Sequence, residues 1–168
     1  MIPIARTGVA QALTGKAPAR PTASTIATAT AAGAIALTLL VAIGHVLHRP
    51  VLVPPLAASA ALVFAAPTLP LAQPRNVIGG QLVSACVGFC ALALAGDAPW
   101  TAALAGALAI GSMALARTPH SPAAATAVLV VLTDPEPVAF LGLLLLATIV
   151  IVAVGVIAAR RTYPAYWW

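Results

Sequence analysis

Charge is nearly missing from this sequence. Of its 168 residues only 7% are Asp, Glu, Lys or Arg, and three are acidic. A soluble domain carries about a quarter charged residues, so a soluble core is excluded. Aromatics are also few, at 5%, and apart from the pair Arg160 and Arg161 the basic residues stand singly. Despite a net charge of +5, no nucleic-acid partner is expected, because phosphate binding needs a basic patch or stripe. Two cysteines, Cys86 and Cys90, have no second pair to complete a disulfide framework or a zinc site. One turn apart in an apolar run, they are expected to be reduced, buried and inert. The acids Asp97, Asp134 and Glu136 fall in turns between apolar runs, so no carboxylate is placed to serve as the base of a membrane enzyme. His45 and His48 lie toward one face and His120 approaches from the other, so neither a metal nor a cofactor is expected, and no catalytic residue is assigned.

What is present is apolar. With 62% hydrophobic residues and a mean hydropathy of +1.07, the chain is expected to be an integral membrane protein whose first partner is the lipid bilayer. Residues 1–24 hold Arg6, Lys16 and Arg20 but no acid and no long apolar run, and read as a disordered cytoplasmic tail. The uncharged run after Arg20 is long enough to span rather than to be cleaved as a signal peptide.

Between His48 and Gly80 the chain stays apolar yet carries Pro50, Pro54, Pro55, Pro67, Pro70 and Pro74. Proline inside a helix removes a hydrogen bond and clashes with the preceding turn, whereas at a helix start it is tolerated. The stretch therefore reads as a broken membrane segment, extended through Val51–Val53 and helical from about Pro55 to Ala66. Such breaks survive only where protein or water satisfies the freed backbone groups, and paired breaks point to a transporter's binding site.

A pair is present. Pro55–Val63 aligns with Pro122–Val130 in one register, placing Ser59 on Thr126, and Leu47–Arg49 aligns with Leu115–Arg117. The shared order of apolar span, arginine, proline break, short helix and apolar span indicates an internal duplication. The expected fold is an all-α membrane protein of about six elements, arranged as two three-element repeats over residues 25–96 and 97–161, each with one broken segment. Residues 162–168, after Arg160 and Arg161, read as an aromatic interface anchor. Full spans are expected at about Thr25–Val46, Val77–Leu94, Trp100–Ala116 and Val138–Ala159. The second break runs extended from Thr118 to Pro122 and helical from Ala123 to Leu132. Small-residue stripes, Gly80/Ser84/Gly88 and Ala103/Ala107/Gly111, offer close packing surfaces, and a homo-oligomer is expected.

If both broken segments cross, Arg75, Arg117, Arg160 and Arg161 share the cytoplasm with the tail and only Arg49 lies outside, as the positive-inside rule prefers. Both termini are then cytoplasmic in a multi-pass cell-membrane protein. Three elements per repeat make the second copy inverted. The two short helices would begin near the midplane with their N-termini facing, and helix N-termini favour anions. The expected ligand groups are the backbone around Ala57, Ala58 and Ser59 and around Ala124, Ala125 and Thr126, the two hydroxyls, and His120 with Ser121. Arg49, Arg117 and Gln81 are expected along the vestibules or path.

These residues resemble the HPP family of small membrane proteins, named for a His-Pro-Pro motif. The similarity covers about Leu47 to Val152. Its most specific part is Ala66-Pro-Thr-Leu-Pro-Leu-Ala-Gln-Pro-Arg-Asn-Val-Ile-Gly-Gly80, and Arg117-Thr-Pro-His-Ser-Pro-Ala-Ala-Ala-Thr-Ala127 stands where the family carries Thr-x-His-Pro-Pro-Ala-x-Ala-Thr-Ala. Here the motif reads His120-Ser121-Pro122, one proline replaced by serine. The resemblance implies a multi-span protein, often described with four spans, and nitrite transport for plant and cyanobacterial members. A small nitrite-like anion is thus the expected substrate, with a structural or sensory subunit as the alternative.

Overall fold

The computed structural model describes residues 19–159 and 163–167. Most of the expected tail, together with Arg160, Arg161 and Trp168, lies outside them. Six α-helices follow in order among the described residues: α1 (Ala23–Leu47), α2 (Pro54–Ala65), α3 (Pro74–Ala95), α4 (Pro99–Leu115), α5 (Ala124–Thr133) and α6 (Pro137–Ala158). A 3₁₀ turn at Pro70–Ala72 precedes α3, and another at Ser121–Ala123 precedes α5. The described residues contain no strand.

Proline sets most of these boundaries. Helices α2, α3, α4 and α6 each carry it in their first two positions, where the missing N–H costs nothing and the fixed φ suits the helix. Helix α6 is also capped by Glu136, whose carboxylate accepts from the N–H groups of Val138 at 3.0 Å and Ala139 at 2.6 Å. These bonds hold its pKa below the ordinary carboxylate range, with Arg49 adding a smaller pull in the same direction. At the other end of the first helix, α1 stops where His48 turns left-handed (φ 51°).

Helices α1, α3 and α6, of 25, 22 and 22 residues, are long and apolar enough to cross a membrane. Helices α2 and α5, of 12 and 10 residues, reach only about 15–18 Å at ~1.5 Å per residue, roughly half the hydrocarbon core. Before α2 the chain from Pro50 to Val53 forms no helix or turn, and Val53 is extended (φ −121°, ψ 155°). The second approach differs from the expectation, because Ser121–Ala123 is wound into the 3₁₀ turn rather than extended, and α5 begins only at Ala124.

The first two helices pack on each other and on α6, while α4 and α5 pack on each other and on α3. The third helix of each expected repeat thus sits against the first two elements of the other, and α3 and α6 also touch each other. The larger apolar core gathers Leu40, Leu56, Val63, Val77, Leu144 and Ile151 from α1, α2, α3 and α6. A smaller one holds Ala102, Ala105, Ala109, Ala127 and Val131 from α4 and α5. Large apolar side chains elsewhere, such as Leu94, Trp100, Leu115 and Val138, point outward, as lipid-facing residues must.

The stripe Gly80/Ser84/Gly88 is buried as expected, and its smallness is used inside the chain. A Cβ on Gly80 would come 2.7 Å from the His120 Cβ, and one on Gly88 would come 2.8 Å from the Ala127 carbonyl oxygen. Helix phase decides which faces are used inside the chain, and it corrects the expectation for the cysteines. The packed face of α4 is Ala102, Ala105, Gly106 and Ala109, while Ala103, Ala107 and Gly111 are exposed. Cys86 and Cys90 are exposed on the outer face of α3, not buried; they line a groove with Leu82, Leu94, Leu108 and Ser112.

Candidate functional site

Both broken segments are entered through the same kind of helix end. His48 N–H donates to the His45 carbonyl and Arg49 N–H to that of Gly44, with His48 left-handed. Arg117 N–H donates to Ala114 and Thr118 N–H to Met113, with Arg117 left-handed at φ 57°. This paired 5→2 and 6→1 pattern is a Schellman end, built twice without glycine. In that register Arg117 corresponds to His48, not to Arg49, so the two arginines do not occupy matching positions. Both are exposed. The path from the left-handed residue to the hydroxyl is two residues longer before Ser59 than before Thr126, so the helix ends and the short helices fall in different registers.

The N-terminus of α2 has few donors to offer. Pro54 and Pro55 have no N–H, and those of Leu56 and Ala57 both reach the Val53 carbonyl, at 2.9 and 3.4 Å. At α5 the Ala124 N–H is taken by the carbonyls of Ser121 and Pro122, and the Ala123 N–H by that of His120. Of the backbone groups expected to face a ligand, those of Ala57 and Ala124 are therefore already used. The dipole direction of each short helix remains, but the side chains are the polar groups left at the centre.

Those side chains meet. His120, just before the 3₁₀ turn, places Nδ1 2.7 Å from the Leu71 carbonyl oxygen and Nε2 2.8 Å from Ser59 Oγ on α2. A carbonyl only accepts, so Nδ1 carries a proton. Gln81 on α3 donates through Nε2 to Ser59 Oγ at 2.9 Å, and its Oε1 accepts from the Thr126 hydroxyl on α5. The result is a continuous polar chain, Leu71–His120–Ser59–Gln81–Thr126, in which Ser59, Gln81 and Thr126 are fully buried and His120 is 1% exposed. Ser59 Oγ also lies 2.9 Å from the Pro55 carbonyl oxygen, one turn back. Ser84, a turn after Gln81, donates to the Ala123 carbonyl. Helix α3 thus ties both proline-broken segments together through two polar side chains on one face.

Four expected site residues, Ser59, Gln81, His120 and Thr126, are brought together in this way. Ala58 and Ala125 flank the two hydroxyl residues along their helices, while Ser121 opens the 3₁₀ turn and is exposed. Arg49 and Arg117 stay outside the cluster. Sequence reasoning placed Gln81 on a path but missed its role as the bridge, and it took Ser84 only as a small residue. It also passed over Thr118, whose buried Oγ1 has no hydrogen-bond partner and whose methyl packs against Gly79. The turn carrying Leu71 is itself fixed by Gln73 and Asn76. Gln73 Nε2 donates to the carbonyls of Pro67 and Leu69, both at 2.9 Å, and Asn76 Nδ2 to that of Pro70 at 2.7 Å. Gln73 Oε1 in turn accepts from the N–H groups of Ala165 and Tyr166, at 2.8 and 3.4 Å.

No solved structure matches the chain. Two transmembrane proteins of Dictyostelium discoideum are similar to it. One is 40% identical over 126 residues, covering 67% of this chain and 40% of its own length. The other is 36% identical over 132 residues, covering 70% and 46%. The chain therefore spans less than half the length of these relatives. The family model described as HPP, transmembrane region, matches residues 18–166, which include both proline-broken segments and every member of the buried polar chain, and the chain belongs to the HPP transmembrane family.

Proposed function

We propose that this protein is a transporter or channel for a small, monovalent, nitrite-like anion, which binds where the two proline-broken segments meet. One observation carries the reading: Ser59, Gln81, His120 and Thr126 form a buried polar chain inside an apolar bundle. Buried polar groups in a membrane protein are costly, and they mark substrate paths by default. The two hydroxyls and the Gln81 amide are donors, and no acid lies on any of the six helices, so the centre suits an anion. In the closed form the groups satisfy one another. An anion enters by exchanging with the bonds they make among themselves, assisted by the positive ends of α2 and α5 near Ala57, Ala58, Ser121, Ala124 and Ala125. Arg49 and Arg117 draw anions to opposite mouths.

The architecture belongs to the same proposal. Two inverted three-element units, each giving its third helix to the other, account for the packing of α6 on α1 and α2 and of α3 on α4 and α5. Six crossings put both termini in the cytoplasm. The exposed stripe Ala103/Ala107/Gly111 is the face on which copies pack into a homo-oligomer. Neither metal nor cofactor enters the cycle, and no chemical step is assigned.

The test is uptake of nitrite, nitrate, formate, bicarbonate and chloride into liposomes containing this chain alone. Saturable flux of at least one anion above protein-free liposomes, reduced by Thr126→Asp in a protein that still folds, is expected. Normal flux in Thr126→Asp would remove the central site. A second reading, a structural or sensory subunit, is favoured by the mutual satisfaction of the polar chain, and it predicts no flux of any of the five.

A further inference from the structure

The hydrogen bonds around Ser59 are arranged so that His120 can hold one proton or two. With neutral His120, Nδ1–H donates to the Leu71 carbonyl, and the Ser59 hydroxyl donates to Nε2 across 2.8 Å. With the imidazolium, Nε2–H donates to Ser59 Oγ instead, and the hydroxyl proton turns to the Pro55 carbonyl at 2.9 Å. Gln81 Nε2 donates to Ser59 Oγ at 2.9 Å in both states, because the oxygen has two lone pairs. One hydroxyl rotation exchanges the two forms, and no heavy atom moves. An ordinary buried histidine fixed between two acceptors lacks this option.

A second proton brings a buried positive charge, and among the described residues no acidic side chain lies on the elements around it. The ionisable residues on the elements around His120 are Arg75, Cys86 and Cys90 on α3 and Arg117 at the end of α4; α2, α5, α6 and both 3₁₀ turns carry none. His45 stands at the far end of α1, and Tyr163 packs against Gly155 of α6. The acids Asp97, Asp134 and Glu136 all sit in turns. Neither arginine is a counter-charge for an imidazolium. A lone buried ion is strongly disfavoured unless it is paired, so the partner must arrive from outside.

We propose that His120 and Ser59 form a proton site that loads together with the anion, so that the unit carried is one proton with one monovalent anion. This rests on the transport reading above. The proton comes from bulk water to Nε2, the Ser59 hydroxyl swings to Pro55, and the anion binds beside the imidazolium. Release reverses each movement and leaves neutral His120 behind. By linkage, proton and anion each raise the other's affinity by the same factor, and the loaded site is electrically neutral.

The experiment uses the full chain in liposomes with a trapped pH dye, nitrite as the probe, and the membrane voltage clamped by potassium and valinomycin. Protein-free liposomes give the leak to subtract. One proton should enter per nitrite, with a rate unchanged by voltage, and in detergent the apparent affinity for nitrite should fall tenfold per pH unit once His120 is neutral. His120→Gln should lose the proton movement and the pH slope, while His45→Ala keeps both. Nitrite flux that follows voltage and moves no protons overturns the coupling and leaves the transport reading standing. Retention of one-to-one coupling in His120→Gln also overturns it. No nitrite flux and no nitrite-dependent stabilisation at any pH overturns this inference, while flux of another of the five anions would still support the transport reading.

Discussion

The bridge made by Gln81 can be measured by a double-mutant cycle. Gln81→Met keeps the length of the side chain but removes both amide bonds, leaving the buried Thr126 hydroxyl without its acceptor. Ser59 is less affected, because its oxygen keeps His120 and Pro55. A buried unpaired hydroxyl costs about 1–3 kcal/mol in soluble proteins, whereas interhelical bonds in membranes average only ~0.6 kcal/mol. Thr126 can also turn to the carbonyl one turn earlier, a common refuge for such residues. We therefore expect about 1 kcal/mol for Gln81→Met and a similar loss for Thr126→Val, which strands Gln81 Oε1 instead. The double variant removes both partners and strands neither, so it should fall short of the sum by about 0.5–1.5 kcal/mol. Reversible unfolding in mixed micelles of mild and denaturing detergent, followed by circular dichroism, gives all four corners. If the two losses add to within about 0.3 kcal/mol, the bond from Thr126 to Gln81 contributes nothing and the polar chain is not one unit.

Gly80→Ala should destabilise by about 1–3 kcal/mol through overpacking, since the new methyl would meet the His120 Cβ and the Thr118 carbonyl. Gly142→Ala, with open space around it, should be neutral or stabilising by up to ~1 kcal/mol from helix propensity; equal losses at both sites in the same unfolding assay would contradict the packing described. Glu136 has its pKa lowered in the fold, so its contribution is complete above the unfolded carboxylate pKa and is lost as pH falls through the folded one. Glu136→Gln should therefore cost stability at neutral pH and converge with the natural protein below the ordinary carboxylate range; melting curves between pH 7 and pH 3 that stay parallel would exclude the cap. In a background lacking Cys86 and Cys90, Arg117→Cys should react with an impermeant thiol reagent only from the cytoplasmic side. Labelling from outside would remove the six-crossing topology.

Helix boundaries were legible to within about three residues because proline writes them locally. A residue that cannot donate an N–H begins helices and does not continue them, and four of the six begin on one. The membrane setting followed equally directly from composition. The aligned hydroxyls drew attention to Ser59 and Thr126, since hydroxyl residues in otherwise apolar short helices stand out, and both side chains join the buried polar chain. Their connection through Gln81 was not legible, because it joins positions 22 and 45 residues apart and no local pattern encodes that distance. Cys86 and Cys90 were misjudged for a different reason. Lipid and protein core are equally apolar, so hydrophobic composition does not say which face of α3 points inward, and the glycines that do say so were not weighed against the cysteines. The second break was expected to be straight because three of its first five residues, Pro119, Ser121 and Pro122, disfavour regular helix; a 3₁₀ turn accepts them by needing fewer internal bonds.

Gln73 spends its whole amide on main chain: two carbonyls of the Pro67–Leu69 stretch on one side, and the N–H groups of Ala165 and Tyr166 on the other. A grip of this kind is blind to side-chain identity. Positions 165 and 166 are free to drift through most residue types without loosening it, whereas Ala165→Pro deletes the shorter bond outright and a one-residue insertion after Tyr163 throws the backbone out of step. Two residues before Gln73, the Leu71 carbonyl holds His120. The same short turn is thus a shared hinge pin for the segment beyond α6 and for the buried imidazole, and a mutational scan of that segment should find its sensitivity in chain length and proline content, hardly at all in chemistry.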